Sequence, residues 1–197
     1  MAKIHGKVTN FEGRLLKEAE VTFIDRTFNV ISTGYSDMDG YYFLQPEEKT
    51  NGMVYATSSY GKSLLGFWFH NLNSDQQREL DIVIGEIELL NFSKLMDRER
   101  KNVIISFQPL SLTALKDGME NLSPERYNLE LEVKIDGRIQ DGYELEVIRE
   151  NRLDKEINQY NIRLNVEGIY NPREESLMEI QLYDELTGEK GLAKVIL

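Results

Sequence analysis

The stretch Ser36-Asp37-Met38-Asp39-Gly40-Tyr41-Tyr42-Phe43 joins a turn to a strand and carries most of the fold prediction. Aspartate side chains accept hydrogen bonds from backbone N–H groups in tight turns, and glycine adopts the positive φ that such turns need. Runs of β-forming residues lie on either side, at 30–35 and 41–44. The pattern therefore predicts a β-hairpin at this point of the chain.

The rest of the first half also consists of short apolar runs separated by turn residues. In the last of these runs, Leu80, Ile82 and Ile84 alternate with other residues, which is typical of a strand with one buried face. Together with 30–35 and 41–44, these runs make seven short strands, a number typical of a β-sandwich. The other predicted strands are 3–9, 19–25, 53–58, 63–69 and 79–90.

The second half has the same character after a charged stretch at 93–101, which has few β-forming residues and is interpreted as a linker. The sequence thus predicts an all-β fold of two β-sandwich domains, 1–92 and 102–197. Strand count and spacing favour an immunoglobulin-like sandwich for the second. Its predicted strands are 102–112, 127–135, 143–149, 160–166, 177–183 and 192–197, with a short helix at 113–120.

Three segments of the first half occur in the order that one known family has. Gly6-Lys7-Val8, followed by Gly13, matches the opening strand and turn of the family, and Ala19-Glu20-Val21 matches its next strand. The stretch 36–43 matches its Ser-Asp-x-x-Gly-x-Tyr element. On these residues, the segment 3–92 resembles the carboxypeptidase regulatory-like domains, which are transthyretin-like β-sandwich modules.

The resemblance departs from the family at Leu15-Leu16-Lys17-Glu18, where the family usually has a proline and a second glycine. It implies a non-catalytic accessory or adhesive module, often in an extracytoplasmic protein. The start of this chain, at 1–6, lacks the apolar stretch of about 7 to 15 residues that a secretory signal needs. That observation favours a cytoplasmic location, so the two indications of compartment disagree.

Composition limits the classes of partner. The 34 acidic residues exceed the 23 lysines and arginines, which gives a net charge of −11, and this charge disfavours nucleic-acid binding. The chain has no cysteine, so disulfides, thiolate metal sites and cysteine nucleophiles are excluded. No apolar run approaches the roughly 18 residues of a transmembrane helix.

Catalytic motifs are not found in the sequence. The two histidines, His5 and His70, lie outside any zinc-peptidase motif, and no Gly-x-Ser-x-Gly segment occurs. Pairs of acids such as Glu130 and Glu132 are two residues apart on an alternating strand, which places them on one solvated face. The sequence therefore predicts no catalytic residue, no metal ligand and no cofactor.

Two short segments resemble ligand loops only in part. Asp37 and Asp39 could begin a calcium loop, but the remaining ligands of such a loop do not follow, so a hydrogen-bonded turn is favoured. Gly61-Lys62-Ser63 resembles the end of a phosphate-binding loop, but the glycine needed earlier in that loop is absent.

The aromatic residues Tyr55, Tyr60 and Trp68 form the candidate ligand or partner surface. Trp68 lies between Phe67 and Phe69, and the alternation of a strand leaves open which side of this triplet is core. Tyr41 and Tyr42 could lie near it after folding. Ordinary packing is favoured over a ligand platform.

Three hypotheses of function follow. The first is a non-enzymatic interaction or structural module that binds a protein partner. The alternative is a carbohydrate-binding protein that uses the exposed aromatic residues. The third is a hydrolase whose site has no linear motif.

Overall fold

The computed structural model describes residues 3–46, 49–97, 99, 101–152, 154–168 and 175–197. The fold is all-β, as the alternating pattern predicts. The first half contains β1 (Ile4–Asn10), β2 (Glu20–Asp25), β3 (Val30–Tyr35), β4 (Tyr41–Leu44), β5 (Asn51–Thr57), β6 (Gly66–Asn73), β7 (Arg78–Glu79) and β8 (Ile82–Ile84). The second half contains β9 (Ile87–Asp97), β10 (Asn102–Ser111), α1 (Leu112–Lys116), a 3₁₀ turn (Arg126–Asn128), β11 (Leu129–Ile135), β12 (Arg138–Ile139), β13 (Tyr143–Arg152), β14 (Lys155–Asn165), β15 (Leu177–Asp184) and β16 (Lys190–Ile196).

An eight-stranded sheet runs through both halves, in the order β12-β11-β15-β16-β6-β5-β2-β3. The halves meet where β16 pairs with β6 in parallel, with Ala193 opposite Trp68. Two four-stranded sheets pack against it. One has the order β4-β1-β7, with β8 also paired to β1, and the other has the order β13-β14-β10-β9.

The two hydrophobic cores lie on opposite faces of the eight-stranded sheet. Phe67 and Phe69 of β6 belong to the first core, together with residues of β1, β2 and β5. Ala193 and Val195 of β16 belong to the second core, with residues of β10, β14 and β15. Because residues that are paired across two strands share a face, Trp68 points away from the first core, as Ala193 does.

The hairpin predicted between β3 and β4 is wrong. β3 pairs with β2, whereas β4 pairs with β1 in another sheet. Ser36 holds the chain where it crosses between the sheets: its Oγ accepts from the Ala19 N–H at 2.9 Å and donates to the Leu16 carbonyl at 2.5 Å. The turn residues were identified from local chemistry, but the strands that they join find separate partners.

The predicted linker 93–101 lies partly within a strand, and its residues 98 and 100 are outside the described residues. Residues 93–97 belong to β9, which pairs with β10 from Ser93 opposite Ser106 to Asp97 opposite Asn102. The predicted strand 79–90 is also wrong as a single element, because it divides into β7, β8 and the start of β9. Among the described residues, no helix is long and apolar enough to cross a membrane.

Gly85 lies at the break between β8 and β9. A Cβ at this position would lie 2.0 Å from the Lys190 carbonyl oxygen, which itself accepts from the Glu86 N–H at 2.9 Å. We expect Gly85→Ala to lower the free energy of unfolding by about 2 kcal/mol, because two backbone segments must separate. Gly142→Ala is the matched control, since no atom lies within 4 Å of its Cβ. Equal urea midpoints for the two variants would contradict this explanation.

Candidate functional site

Trp68 and Tyr55 lie side by side on the face of the eight-stranded sheet that is turned away from the first core. Phe67 and Phe69 are buried in that core, which settles the orientation that the sequence leaves open. Tyr55 is directly opposite Trp68 in the β5–β6 pairing, so the two side chains share a face. Both are partly buried.

The aromatic rings on this face form a row, which we call the aromatic row: Tyr55, Trp68, His70 and Phe92. The ring centroids of Tyr55 and Trp68 are 4.4 Å apart. Trp68 and His70 stack at 5.9 Å, and His70 and Phe92 stack at 4.3 Å. These distances are those of packed aromatic pairs. The row ties β5, β6 and β9 together, so Trp68 is not a free ring that stands on the surface.

A buried carboxylate lies beneath the row. Glu88 of β9 is 1% exposed. Its Oε1 accepts from Trp68 Nε1 at 2.8 Å, and its Oε2 accepts from the Tyr60 hydroxyl at 2.8 Å and from the Gly66 N–H at 3.2 Å. Hydrogen bonds from three donors stabilise the ionised carboxylate in a place where an unpaired charge would be costly.

The structure thus brings the three predicted site residues together, but around a residue that was not predicted. The signal was a lone acid in the apolar run Ile87-Glu88-Leu89, where both neighbours are buried. Tyr60 is bound through its hydroxyl and Trp68 through its indole nitrogen, so neither polar atom is free for a ligand. Glu88 is also 1% exposed, so its carboxylate is not open to a substrate as that of a general base must be.

The tyrosines around Glu88 are held in their protonated form. Burial raises the pKa of Tyr55 and of Tyr60 well above the usual range, and the negative charge of Glu88 adds to this effect. The Tyr60 hydroxyl therefore keeps its proton near pH 7 and donates it to the carboxylate.

The His70 side chain differs from those of Tyr60 and Trp68 in its hydrogen bonding. Its Nε2 is shielded from solvent and has no hydrogen-bond partner within the described ranges. Burial lowers the pKa of His70 to about 4, so the ring is neutral near pH 7. The ring lies beside a small cavity of about 190 Å³ whose lining includes Phe28, Met53, Trp68, His70, Asn91 and Phe92.

A second aromatic surface lies on the outer face of β1 and β4, and we call it the β1–β4 face. Tyr41 and Phe43 are 52% and 45% exposed there. Lys7 Nζ lies 4.7 Å from the centroid of the Tyr41 ring, and Lys3 Nζ lies 5.6 Å from that of Phe43. These are distances at which a cation attracts an aromatic face.

Tyr41 and Tyr42 do not join the aromatic row, so the expectation that they could lie near Trp68 is wrong. Tyr42 is buried in the first core, and its hydroxyl donates to the Leu80 carbonyl at 2.8 Å. Tyr41 is adjacent in the strand and points to the opposite side of the same sheet.

Asp37 forms the hydrogen-bonded turn that the sequence favours over a calcium loop. Asp37 Oδ1 accepts from the N–H groups of Asp39 and Tyr41, both at 2.9 Å. This is an aspartate-capped turn. In the part of the chain that the structure describes, no group of three His, Cys, Asp or Glu side chains could hold a metal ion.

Comparisons with known proteins give no family. No protein-family model matches the chain, and no curated protein sequence matches it. The major pilin subunit BcpA of Bacillus cereus superimposes with a TM-score of 0.34 at 13% identity, over 99% of this chain and 69% of that chain. The Corynebacterium diphtheriae major pilin SpaA superimposes with a TM-score of 0.28 at 7% identity, over 92% of this chain and 62% of that chain.

TM-scores as low as these carry no argument about function. The resemblance of 3–92 to the carboxypeptidase regulatory-like domains is not confirmed by the comparisons. The all-β architecture with several sheets is confirmed by the strands themselves. The transthyretin-like and immunoglobulin-like assignments of the two halves stay predictions.

Proposed function

We propose that the chain is a non-catalytic interaction module that binds a partner protein through the β1–β4 face. The observation that supports this most is the exposure of Tyr41 and Phe43 on a regular sheet whose other side already forms the first core. Tyrosine and phenylalanine are enriched at the centres of protein interfaces. The core does not need these two rings, because their neighbours Tyr42 and Leu44 supply its contacts.

The charges of this face favour one kind of partner. The chain carries a net charge of −11, yet Lys3 and Lys7 lie over the exposed rings. A partner with acidic groups beside an apolar patch would pair with the two ammonium groups while it covers the rings. Met38, 77% exposed at the turn that leads into β4, extends the apolar surface.

The carbohydrate alternative has less support. A sugar-binding platform needs an exposed ring face and free hydrogen-bonding groups. Trp68 contacts the rings of Tyr55 and His70 and donates its only N–H to Glu88. Tyr55, Tyr60 and Trp68 therefore serve better as packing residues than as a glycan site. A hydrolase gains no support from Glu88, whose carboxylate is buried.

The division into domains 1–92 and 102–197 is part of the proposal. It is supported by two separate clusters of buried residues, the first drawn mostly from 1–92 and the second mostly from 102–197. Two exchanges cross this division: Ile87 and Leu89 belong to the second cluster, and Ile196 of β16 belongs to the first. We therefore expect the two domains to unfold together, because β16 and β6 share backbone hydrogen bonds.

The proposed face is tested by a double variant, Tyr41→Ser with Phe43→Ser. Because both rings are exposed, stability should change by less than about 1 kcal/mol. In affinity capture from an extract of the source cell, proteins retained by the wild type should fall at least about tenfold with this variant, as expected when interface anchors are lost. Quantitative mass spectrometry measures the difference.

Val30→Ser with Tyr35→Ser is the matched control. Both side chains are 62% exposed, and they lie on β3 in the other sheet. The control should retain the same proteins as the wild type. If the Tyr41 and Phe43 variant retains them equally well, the β1–β4 face is not the binding surface.

A further inference from the structure

The cavity beside His70 lies on the opposite side of the first core from the β1–β4 face. The first core separates β1 and β4 from β5 and β6, and the cavity is on the outer side of β5 and β6, next to β9. A ligand here is independent of a partner protein on the β1–β4 face. The two surfaces can therefore be tested separately.

The walls of the cavity are mainly aromatic. Trp68 and Phe92 form one side with His70 stacked between them, and Met53 adds a thioether, which packs well against rings. Asn91 is the other polar side chain of the lining, and its amide already donates to Gln108 Oε1 at 2.5 Å. The Asn91 carboxamide keeps a second N–H and its oxygen, and the imidazole of His70 is the other lining group that can bind a polar atom.

Phe28 is held over this cavity in an unusual backbone conformation. Its φ is +64°, in the left-handed region that bulky residues rarely adopt, and its side chain is 71% exposed. The loop is fixed by Asp25, whose Oδ1 accepts from the N–H groups of Thr27 and Asn29 at 2.8 and 2.9 Å. These hydrogen bonds lower the pKa of Asp25 to about 2. A strained backbone that presents an apolar ring to solvent is characteristic of a binding site.

Size and polarity indicate the class of ligand. A cavity of about 150 Å³ lined by apolar side chains binds benzene in an engineered protein, so 190 Å³ accommodates one substituted ring. A neutral imidazole has one donor and one acceptor nitrogen. Because Nε2 of His70 is shielded from solvent, Nδ1 is the nitrogen that a ligand can reach, and a hydroxyl group can pair with it in either tautomer because it both donates and accepts. A sugar would place several hydroxyls against apolar walls without partners, which is costly.

We propose that this cavity binds a small neutral aromatic molecule with one hydroxyl group, a phenol, with its ring between Phe28 and the aromatic row and its hydroxyl on His70.

Trp68 provides the measurement, because it is the only tryptophan in the chain and lines the cavity. Phenol is titrated into the full chain while Trp68 emission is excited at the red edge of the indole band, where phenol does not absorb. We expect a saturable change with a Kd of roughly 1 mM, which is within the range for a ligand of this size. Saturation-transfer NMR on phenol gives an independent readout. Benzene and glucose are the comparison ligands.

Three variants make the test specific. His70→Leu should raise the Kd of phenol about tenfold and change that of benzene less than about twofold, since only the hydrogen bond is lost. Phe28→Ala should weaken both ligands at least about fivefold. Val30→Ala, on an exposed side chain of β3, should leave both Kd values unchanged.

The proposal is overturned if phenol gives no saturable signal in either readout, if glucose binds as well as phenol, or if Phe28→Ala leaves phenol binding intact. If His70→Leu does not fold, as judged by circular dichroism, Phe28→Ala decides the outcome, because its exposed side chain is not needed by either core.

Discussion

Replacing Glu88 with leucine is expected to lower the free energy of unfolding by about 3 kcal/mol. The carboxylate is 1% exposed and accepts from Trp68, Tyr60 and the Gly66 N–H. Leucine has a similar volume but no acceptor, so the three donors lose their partner together. We expect the Gly66 N–H to contribute most to this loss, because Gly66 is a buried residue.

Glu88→Gln separates the loss of charge from the loss of acceptors. Glutamine keeps one acceptor oxygen, so we expect a loss of about half that of Glu88→Leu. Glu20→Leu is the matched control, because Glu20 of β2 is exposed and accepts a 3.4 Å bond from the Tyr35 hydroxyl; it should change stability by less than about 0.5 kcal/mol.

Urea unfolding followed by circular dichroism measures these free energies. Trp68 emission should also shift to longer wavelength in Glu88→Leu, because the indole loses the hydrogen bond that holds it against β9. A loss of less than about 1 kcal/mol for Glu88→Leu would mean that the cluster relaxes around water and that Glu88 does not hold β9 to β6.

Local patterns predicted the strands better than they predicted the partners of those strands. The bounds of β3 and β4 follow from their β-forming residues and the turn at 36–40, because these signals lie within a few residues of one another. The pairing of β6 with β16 joins segments that are more than a hundred residues apart in the sequence. Periodicity shows that a strand has two faces but does not show which distant strand completes the sheet.

The break at Gly85 and the strand at 93–97 were missed, each for its own reason. Gly85 separates β8 from β9 because another backbone, at Lys190, lies against it, and this neighbour is invisible in the local sequence. The charged residues at 93–97 suggested a linker because charge is uncommon in strands. In the fold, this part of β9 lies at a sheet edge where side chains reach solvent.

The candidate site was predictable as a cluster of rings but not as a network. Tyr55, Tyr60 and Trp68 are distinctive residue types, whereas Glu88 resembles the many solvated acids of an acidic chain. Only the pairing of β5, β6 and β9 makes it a buried acceptor. His70 likewise has no motif around it, and its isolation from hydrogen-bond partners is a property of the folded packing.

His70 is expected to make the protein less stable as the pH falls from about 7 to about 4. Burial lowers the pKa of the folded state to about 4 from the ordinary value of 6.5. In this interval the unfolded chain binds a proton that the folded chain does not, so the free energy of unfolding decreases as the pH decreases. The two pKa values differ by about 2.5, which corresponds to about 3 kcal/mol, and about 2 kcal/mol of this is lost by about pH 5.

The contribution of His70 is isolated by comparing the wild type with His70→Gln at each pH, because the acidic groups of the chain titrate alike in both. The difference in unfolding free energy should change by about 3 kcal/mol between about pH 7 and about pH 4, in favour of the variant at low pH. His5→Gln, on β1, is the control for the loss of a histidine. A pH-independent difference for His70→Gln would mean that His70 takes up its proton in the folded state, and that the aromatic row opens to water rather than excluding it.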